Sequence, residues 1–299
     1  MTSRDQEPAH FQYEQAFARN LGWVTPEEQQ ILRGKRVAIA GMGGVGSGYL
    51  LTLARLGIGA FHIADFDCYD IPNLNRQAAS FMSTMGHPKV AVAARMAQDI
   101  NPQIAIRQFG DGVNSTNVSA FLDGVDLYVD GLDFYAFEAR TLVYGHCAAQ
   151  RIPATMAAPL GMGASCLNFL PGKMSFEEYF QWGDLPDVEK ALRFLVGLAP
   201  ASLHRGYLVW PQGVDLAQQR GPSTSMGCQL CAGIAASQAL KILLGRGKVL
   251  AAPHGFQYDA YENKYTTTWR PGGNRHPLQR LAMALARRKF VGTTPPAPG

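Results

Sequence analysis

Asn73, Arg76 and Lys89 place an amide and two cations in one short stretch of the chain, downstream of the run Gly41-Met42-Gly43-Gly44-Val45-Gly46. Each glycine of such a run has a physical task. Gly41 permits a tight turn, Gly43 lets the backbone approach a phosphate and Gly46 lets a helix pack closely on its strand, while free N–H groups at the helix start favour an anion. Asp65 follows Gly46 by 19 residues, near the spacing of about 20 at which an acidic side chain reaches a ribose hydroxyl. Glycines and Asp65 suit NAD as well as ATP. The cations decide between them, because a dinucleotide enzyme needs no such cluster beside its pyrophosphate. Nucleotidyl transfer does need it, since negative charge builds on the attacked phosphate and on the leaving pyrophosphate.

The elements that must hold these residues are legible as periodicity. Val37 to Ala40 is a short apolar strand, and Tyr49, Leu50, Leu53 and Leu56 mark the helix after the glycines. A second strand, Phe61 to Ala64, ends at Asp65; helix 88–100, strand 104–108 and helix 116–122 follow, and strand 126–130 delivers Gly131, Leu132 and Asp133. Ligands bind at the carboxyl ends of parallel strands, so Gly41, Asp65 and Asp133 are expected to converge on one crevice. Helix 134–150, strands 152–158 and 164–170, helices 188–197 and 231–244, a hairpin of 256–260 with 265–269, and a last helix 278–289 complete the chain. The fold class expected is α/β: a doubly wound, Rossmann-like, mostly parallel sheet continuing into a mixed or antiparallel C-terminal part. Residues 1–35 read as a helical preamble whose first ten residues are disordered, with Thr25 capping a helix from Pro26. Residues 36–299 read as one domain, with an irregular crossover over 171–227 that holds an aromatic loop around Phe176, Tyr179, Phe180 and Trp182.

At its motifs the chain resembles the ThiF/MoeB/HesA family, the ubiquitin-activating-type adenylyltransferases. The matching pieces are GMGGVGS at 41–47, DFD at 65–67, PNLNRQ at 72–77, GHPK at 86–89, INP at 100–102 and DLYVDGLD at 126–133. The resemblance implies ATP over Gly41, Gly43, Gly44 and Gly46, with Asp65 on the ribose and Asp67 and Leu132 beside the nucleotide. It implies Asn73, Arg76, Gln77 and Lys89 at the phosphates, and Asp133 on magnesium. Catalysis would then rest on Arg76, Lys89, Asp133 and Arg19, the last aligning with a family arginine that reaches across a homodimer into the neighbouring site. A solvated surface arginine and a helix-capping Asp133 are the plainer alternatives. The acceptor implied is the C-terminal carboxylate of a ubiquitin-like or sulfur-carrier protein or of a peptide. The chain departs from the family where Phe134, not asparagine, follows Asp133, and where Arg140 stands seven residues on rather than five.

Composition narrows the alternatives. A net charge of +4 with scattered cations, dense only at 287–289, does not indicate nucleic acid. The N-terminus is too polar for a signal peptide, no apolar run approaches a membrane span, and five cysteines make no disulfide framework. A cytoplasmic protein with reduced thiols is expected. Relatives in the family hold zinc with two CxxC pairs, whereas only Cys228 and Cys231 form one here, with no spacing that brings in His204 or His254; no zinc is expected. Cys228, at a helix start, is the candidate for any covalent intermediate, against the plainer role of a buried packing residue. Two rivals remain: an NAD-dependent oxidoreductase, which leaves Arg76, Lys89 and Asp133 unexplained, and an inactive partner-binding scaffold, against which the intact cation set argues.

Overall fold

The computed structural model describes residues 10–214 and 221–290, so the disorder expected of residues 1–10 falls, except at residue 10, outside the described residues. In the preamble, α1 (Tyr13–Ala16) is a single turn followed by a 3-10 turn over Ala18–Asn20. It is shorter than a helix running on to Leu21, because the chain leaves helical geometry at Phe17, with φ −108° and ψ 11°. The next helix, α2 (Pro26–Arg33), starts as expected: Thr25 Oγ1 accepts from the Glu28 amide and the Glu28 carboxylate accepts from the Thr25 amide.

Strands and helices then alternate through β1 (Arg36–Ala40), α3 (Gly46–Arg55), β2 (Ala60–Ala64), α4 (Lys89–Ile100), β3 (Ala105–Phe109), α5 (Val118–Phe121), β4 (Leu127–Asp130), α6 (Phe137–Gln150) and β5 (Ala154–Leu160). After β6 (Gly163–Phe169) come α7 (Phe176–Phe180), α8 (Asp187–Leu198), α9 (Ser225–Leu244), the hairpin β7 (His254–Asp259) and β8 (Lys264–Trp269), and α10 (Pro277–Phe290). The eight strands form one sheet in the order β3-β2-β1-β4-β5-β6-β7-β8. Pairing is parallel from β3 to β5 and antiparallel from β5 to β8, as the sequence led us to expect. Chain order reverses between β1 and β4, the topological switch point where an open α/β sheet leaves a crevice.

Alternation along each strand builds a core on both faces. Val37, Ile39, Phe61, Ile63, Leu127 and Val129 pack under α3, α4 and α9, while Ala38, Ala40, Ala64 and Tyr128 face α5 to α8. In β1, β2 and β4 the apolar run is nearly continuous, because neither face there meets water. By length and composition α9 could cross a membrane, but half of its apolar window is buried in the molecule, against β5, β6 and α3.

Two further elements differ from expectation. The aromatic loop around residue 176 is partly a helix, α7, capped by Ser175, whose side chain accepts from the Glu178 amide. Its aromatic residues fall at helical spacing, and Phe176 and Phe180 pack with Phe137, Trp182 and Phe194 in one buried cluster. The other is α9, which starts at Ser225 rather than Cys231 because Thr224 caps it, accepting from the Gly227 amide.

Candidate active site

The register of the sheet assembles the crevice. Ala40 pairs with both Ala64 and Asp130, so the chain leaves β1, β2 and β4 at one level, at Gly41, Asp65 and Gly131. Three glycines interlock there. A Cβ at Gly46 would lie 1.7 Å from the Gly41 carbonyl oxygen, and one at Gly41 would lie 2.2 Å from that of Gly131. Only hydrogen fits at those points. Gly43 plays a different part, since a Cβ there would meet only the Gln77 amide at ordinary contact distance, which leaves room above the turn. No side chain caps α3, so the amides of its first turn remain for an anion.

Asp65 is tied into this turn. Its Oδ2 accepts from the Met42 amide at 2.6 Å and its Oδ1 from the Asp67 amide at 2.8 Å. Burial pushes its pKa above the usual carboxylate value, and the two amides and Lys89 recover only part of the shift. Lys89, the first residue of α4, is buried and donates to Asp67 Oδ2 at 2.8 Å; Asp67 itself is half exposed. Arg76 Nη1 donates to the Pro72 carbonyl and to Asn75 Oδ1, and its Nε lies 3.7 Å from the Cβ position of Gly44. Beside it, the Gln77 side chain is buried with an Oε1 that accepts from no partner among the described residues. Asn73 Oδ1 accepts from the Asp70 amide in a 3-10 turn, and its side-chain Nδ2 donates to no described residue. Gly41, Gly43, Gly44, Gly46, Asp65, Asp67, Arg76, Gln77 and Lys89 are thus brought together.

The loop after β4 supplies Leu132 and Asp133. The Asp133 side chain is exposed, and its Oδ1 accepts from the Tyr135 amide, which leaves carboxylate lone pairs free. It closes a local turn ahead of α6, which begins only at Phe137, rather than capping a helix from Phe134. Beneath it lies a pair that sequence reasoning missed. Arg140 Nε donates to Asp130 Oδ2 at 2.8 Å, with both side chains almost wholly buried. A charged residue closing an apolar strand was the available signal, because such a charge requires a buried partner.

Of the two remaining candidates, Arg19 lies apart from this cluster and Cys228 packs against it. Arg19 is exposed and has no partner among the described residues, while the neighbouring Asn20 donates to the carbonyls of Arg55 and Leu56 at the far end of α3. A helix of that length separates its two ends by about 15 Å, so Arg19 does not join the glycine turn of its own chain. Cys228 packs beneath the turn, its Sγ 3.3 Å from the Cβ position of Gly44, and burial raises its thiol pKa despite the nearby Arg76. That environment suits a packing thiol better than a nucleophile. Among the described residues no group of three His, Cys, Asp or Glu side chains is placed to hold a metal. Asn75 was also missed as a contact: its Nδ2 donates to the Ser223 carbonyl and ties the Arg76 segment to the start of α9. A cavity of about 530 Å³ lies between α9 and the β7–β8 hairpin, with Lys241, Lys248 and Tyr265 in its wall. None of its lining residues belongs to the glycine turn or the charged cluster, so chemistry rather than volume locates the site.

A switch-point crevice with a glycine turn, a carboxylate at the next strand end, a buried lysine and a partly buried arginine is the arrangement of a nucleotide-binding α/β protein. The ThiF family model matches residues 17–281, and the chain belongs to the ThiF family. Its relatives include the SAMP-activating enzyme E1 of Haloferax volcanii, 27% identical over 248 residues that cover 82% of this chain and 80% of that one. The sulfur carrier protein adenylyltransferase of Thermus thermophilus is 28% identical, covering 82% of each chain. In the molybdopterin-synthase adenylyltransferase of Escherichia coli, 33% identity extends over 45% of this chain and 53% of that protein. Among solved structures, E. coli MccB with ATP superposes with a TM-score of 0.64 at 21% identity, over 85% of this chain and 70% of that one. That likeness establishes the shared fold.

Proposed function

We propose that this enzyme adenylates a carboxylate at the C-terminus of a ubiquitin-like or sulfur-carrier protein or of a peptide, using ATP and magnesium. The observation that carries the proposal is the buried Lys89 ammonium, which shares one crevice with Arg76 and the glycine turn. An NAD enzyme has no use for these cations. Relatives named as adenylyltransferases and as a SAMP-activating enzyme support the choice of reaction.

In this scheme the turn and the open amides of α3 take the phosphates, and Asp65 accepts from the ribose. Lys89 exchanges the half-exposed Asp67 for a phosphate oxygen, a small loss because Asp67 is solvated when released. The acceptor carboxylate attacks the α-phosphorus and pyrophosphate departs. Arg76 and Lys89 stabilise the charge that gathers on both groups, and positioning does the rest. Magnesium, a hard cation that takes one or two carboxylates together with phosphate oxygens, would neutralise part of that charge when bound. Asp133, exposed and with free lone pairs, fits such a ligand.

We further propose a homodimer in which Arg19 serves the neighbouring site. Exposed Leu21 and Trp23 flank Arg19, and exposed Ile71, Leu74, Phe81 and Met82 flank Arg76. The two surfaces have the apolar character of an interface core.

Replacing Asp133 by Asn should abolish magnesium-dependent ATP–pyrophosphate exchange while leaving thermal unfolding within about 0.5 kcal/mol of wild type, as for an exposed side chain. Exchange kinetics across a magnesium titration would check this, and an active Asp133→Asn enzyme would remove Asp133 from the mechanism.

A further inference from the structure

We infer that Arg140 is a positioning residue, which fixes the loop bearing Asp133 and joins it to the crossover helix α8. The inference rests on the adenylation role proposed for Asp133. Arg140 lies on α6, and its guanidinium reaches back under the loop after β4. Its Nε donates to Asp130 Oδ2; Nη2 donates to the Leu132 and Asp133 carbonyls, each at 2.9 Å; Nη1 donates to the Phe134 carbonyl at 3.3 Å. Three successive carbonyls are therefore held by one planar group. The other oxygen of Asp130 accepts from the Leu132 amide at 3.0 Å, so the ion pair grips the loop from both its donors and its acceptors.

A guanidinium can do this where an ammonium cannot. Its five donors are fixed in a plane and span several acceptors at once, whereas a lysine at the same site is a point charge. Among the described residues, the other hydrogen bonds of residues 131–134 are few: the Gly131 amide donates to the Ala40 carbonyl, and the Asp133 carboxylate and carbonyl accept from the Tyr135 and Ala136 amides. Those contacts set the local turn but do not tie Leu132, Asp133 and Phe134 to the body of the protein.

The second support comes from α8, in the segment that joins the two halves of the chain. Phe194 of α8 lies against the guanidinium, 4.5 Å from ring centroid to Cζ, and its ring also packs on Phe134 at 5.0 Å. The crossover thereby closes the side of Arg140 that the loop leaves open, in a buried setting where cation–π attraction is strongest. Seven residues beyond Asp133, Arg140 sits one turn inside α6, from where its side chain reaches back beneath the loop.

The test uses Arg140→Lys, which keeps the charge for Asp130, and Phe194→Leu, which keeps apolar volume. Arg140→Ala is unsuitable because it strands a buried Asp130. Amide hydrogen exchange of the segment 131–136 in ligand-free protein is read first, then the magnesium requirement of ATP–pyrophosphate exchange. We expect faster amide exchange confined to that segment in both variants, and a magnesium requirement raised about tenfold or more in Arg140→Lys, the range found when groups that orient a metal ligand are replaced. Wild-type amide protection, or a loosened loop with an unchanged magnesium requirement, would overturn the inference. If Arg140→Lys does not fold, Phe194→Leu decides by the same two readings. Asp133→Asn measured in parallel separates this inference from its premise. Activity in Asp133→Asn removes the premise, whereas an inactive Asp133→Asn beside a normal Arg140→Lys removes only the positioning role.

Discussion

Lys89→Ala and Arg76→Ala should each slow ATP–pyrophosphate exchange by about 10²- to 10³-fold, equivalent to about 2.7–4 kcal/mol of transition-state stabilisation. The fold should survive both changes. Lys89 is buried, but its partner Asp67 is half exposed and returns to water when the ammonium is removed. Among the described residues the Arg76 side chain donates only to the Pro72 carbonyl and to its neighbour Asn75, neither of which is buried. Loss of exchange with an unchanged unfolding midpoint would therefore report chemistry. Steady-state exchange and thermal melts on the same preparations would show it, and near wild-type exchange in both variants would exclude adenylyl transfer at this site.

An Arg19→Ala chain and an Arg76→Ala chain should each be inactive alone and should recover activity when mixed and re-equilibrated. The reason is geometric. Asn20 is bonded to the carboxyl end of α3, while the glycine turn opens at the amino end about 15 Å away, so Arg19 is remote from its own site and the role proposed for it requires a neighbour's. In a mixed two-fold dimer one site lacks both groups and the other lacks neither, which gives up to about half the activity of a wild-type dimer. Activity of the Arg19→Ala chain by itself would make Arg19 a surface residue. No recovery, once subunit exchange is confirmed by mass spectrometry of differently tagged chains, would refute supply in trans.

What the sequence revealed and what it hid have a common physical basis. Gly41, Gly46 and the strands beside them were legible because their constraints are local: a turn that excludes Cβ, and strands apolar on both faces. The convergence of Gly41 and Asp65 followed from parallel topology alone. Arg140 was noticed for its irregular spacing, yet its partner was not, since the pairing of Asp130 with Arg140 depends on how α6 lies against β4. Helix α7 carried its signal in the spacing of Phe176, Tyr179 and Phe180, but the surrounding loop residues obscured it. The start of α9 was misplaced because Gly227 and Cys228 are weak helix formers, and the cap at Thr224 had to outweigh them. Arg19 belongs to a third kind, for the role proposed for it depends on a second chain.

The most direct measurement follows the two ends of ATP separately. The enzyme is incubated with magnesium, a pool of small proteins and peptides from its source as acceptors, and ATP labelled either on the α- or on the γ-phosphate. Adenylation of a carboxylate predicts that α-label becomes attached to a protein or peptide as an acyl adenylate, a mixed anhydride that hydroxylamine cleaves, while γ-label leaves as pyrophosphate in equal amount. Release of γ-label as orthophosphate with formation of ADP, or turnover with no α-label on any acceptor, would contradict the account.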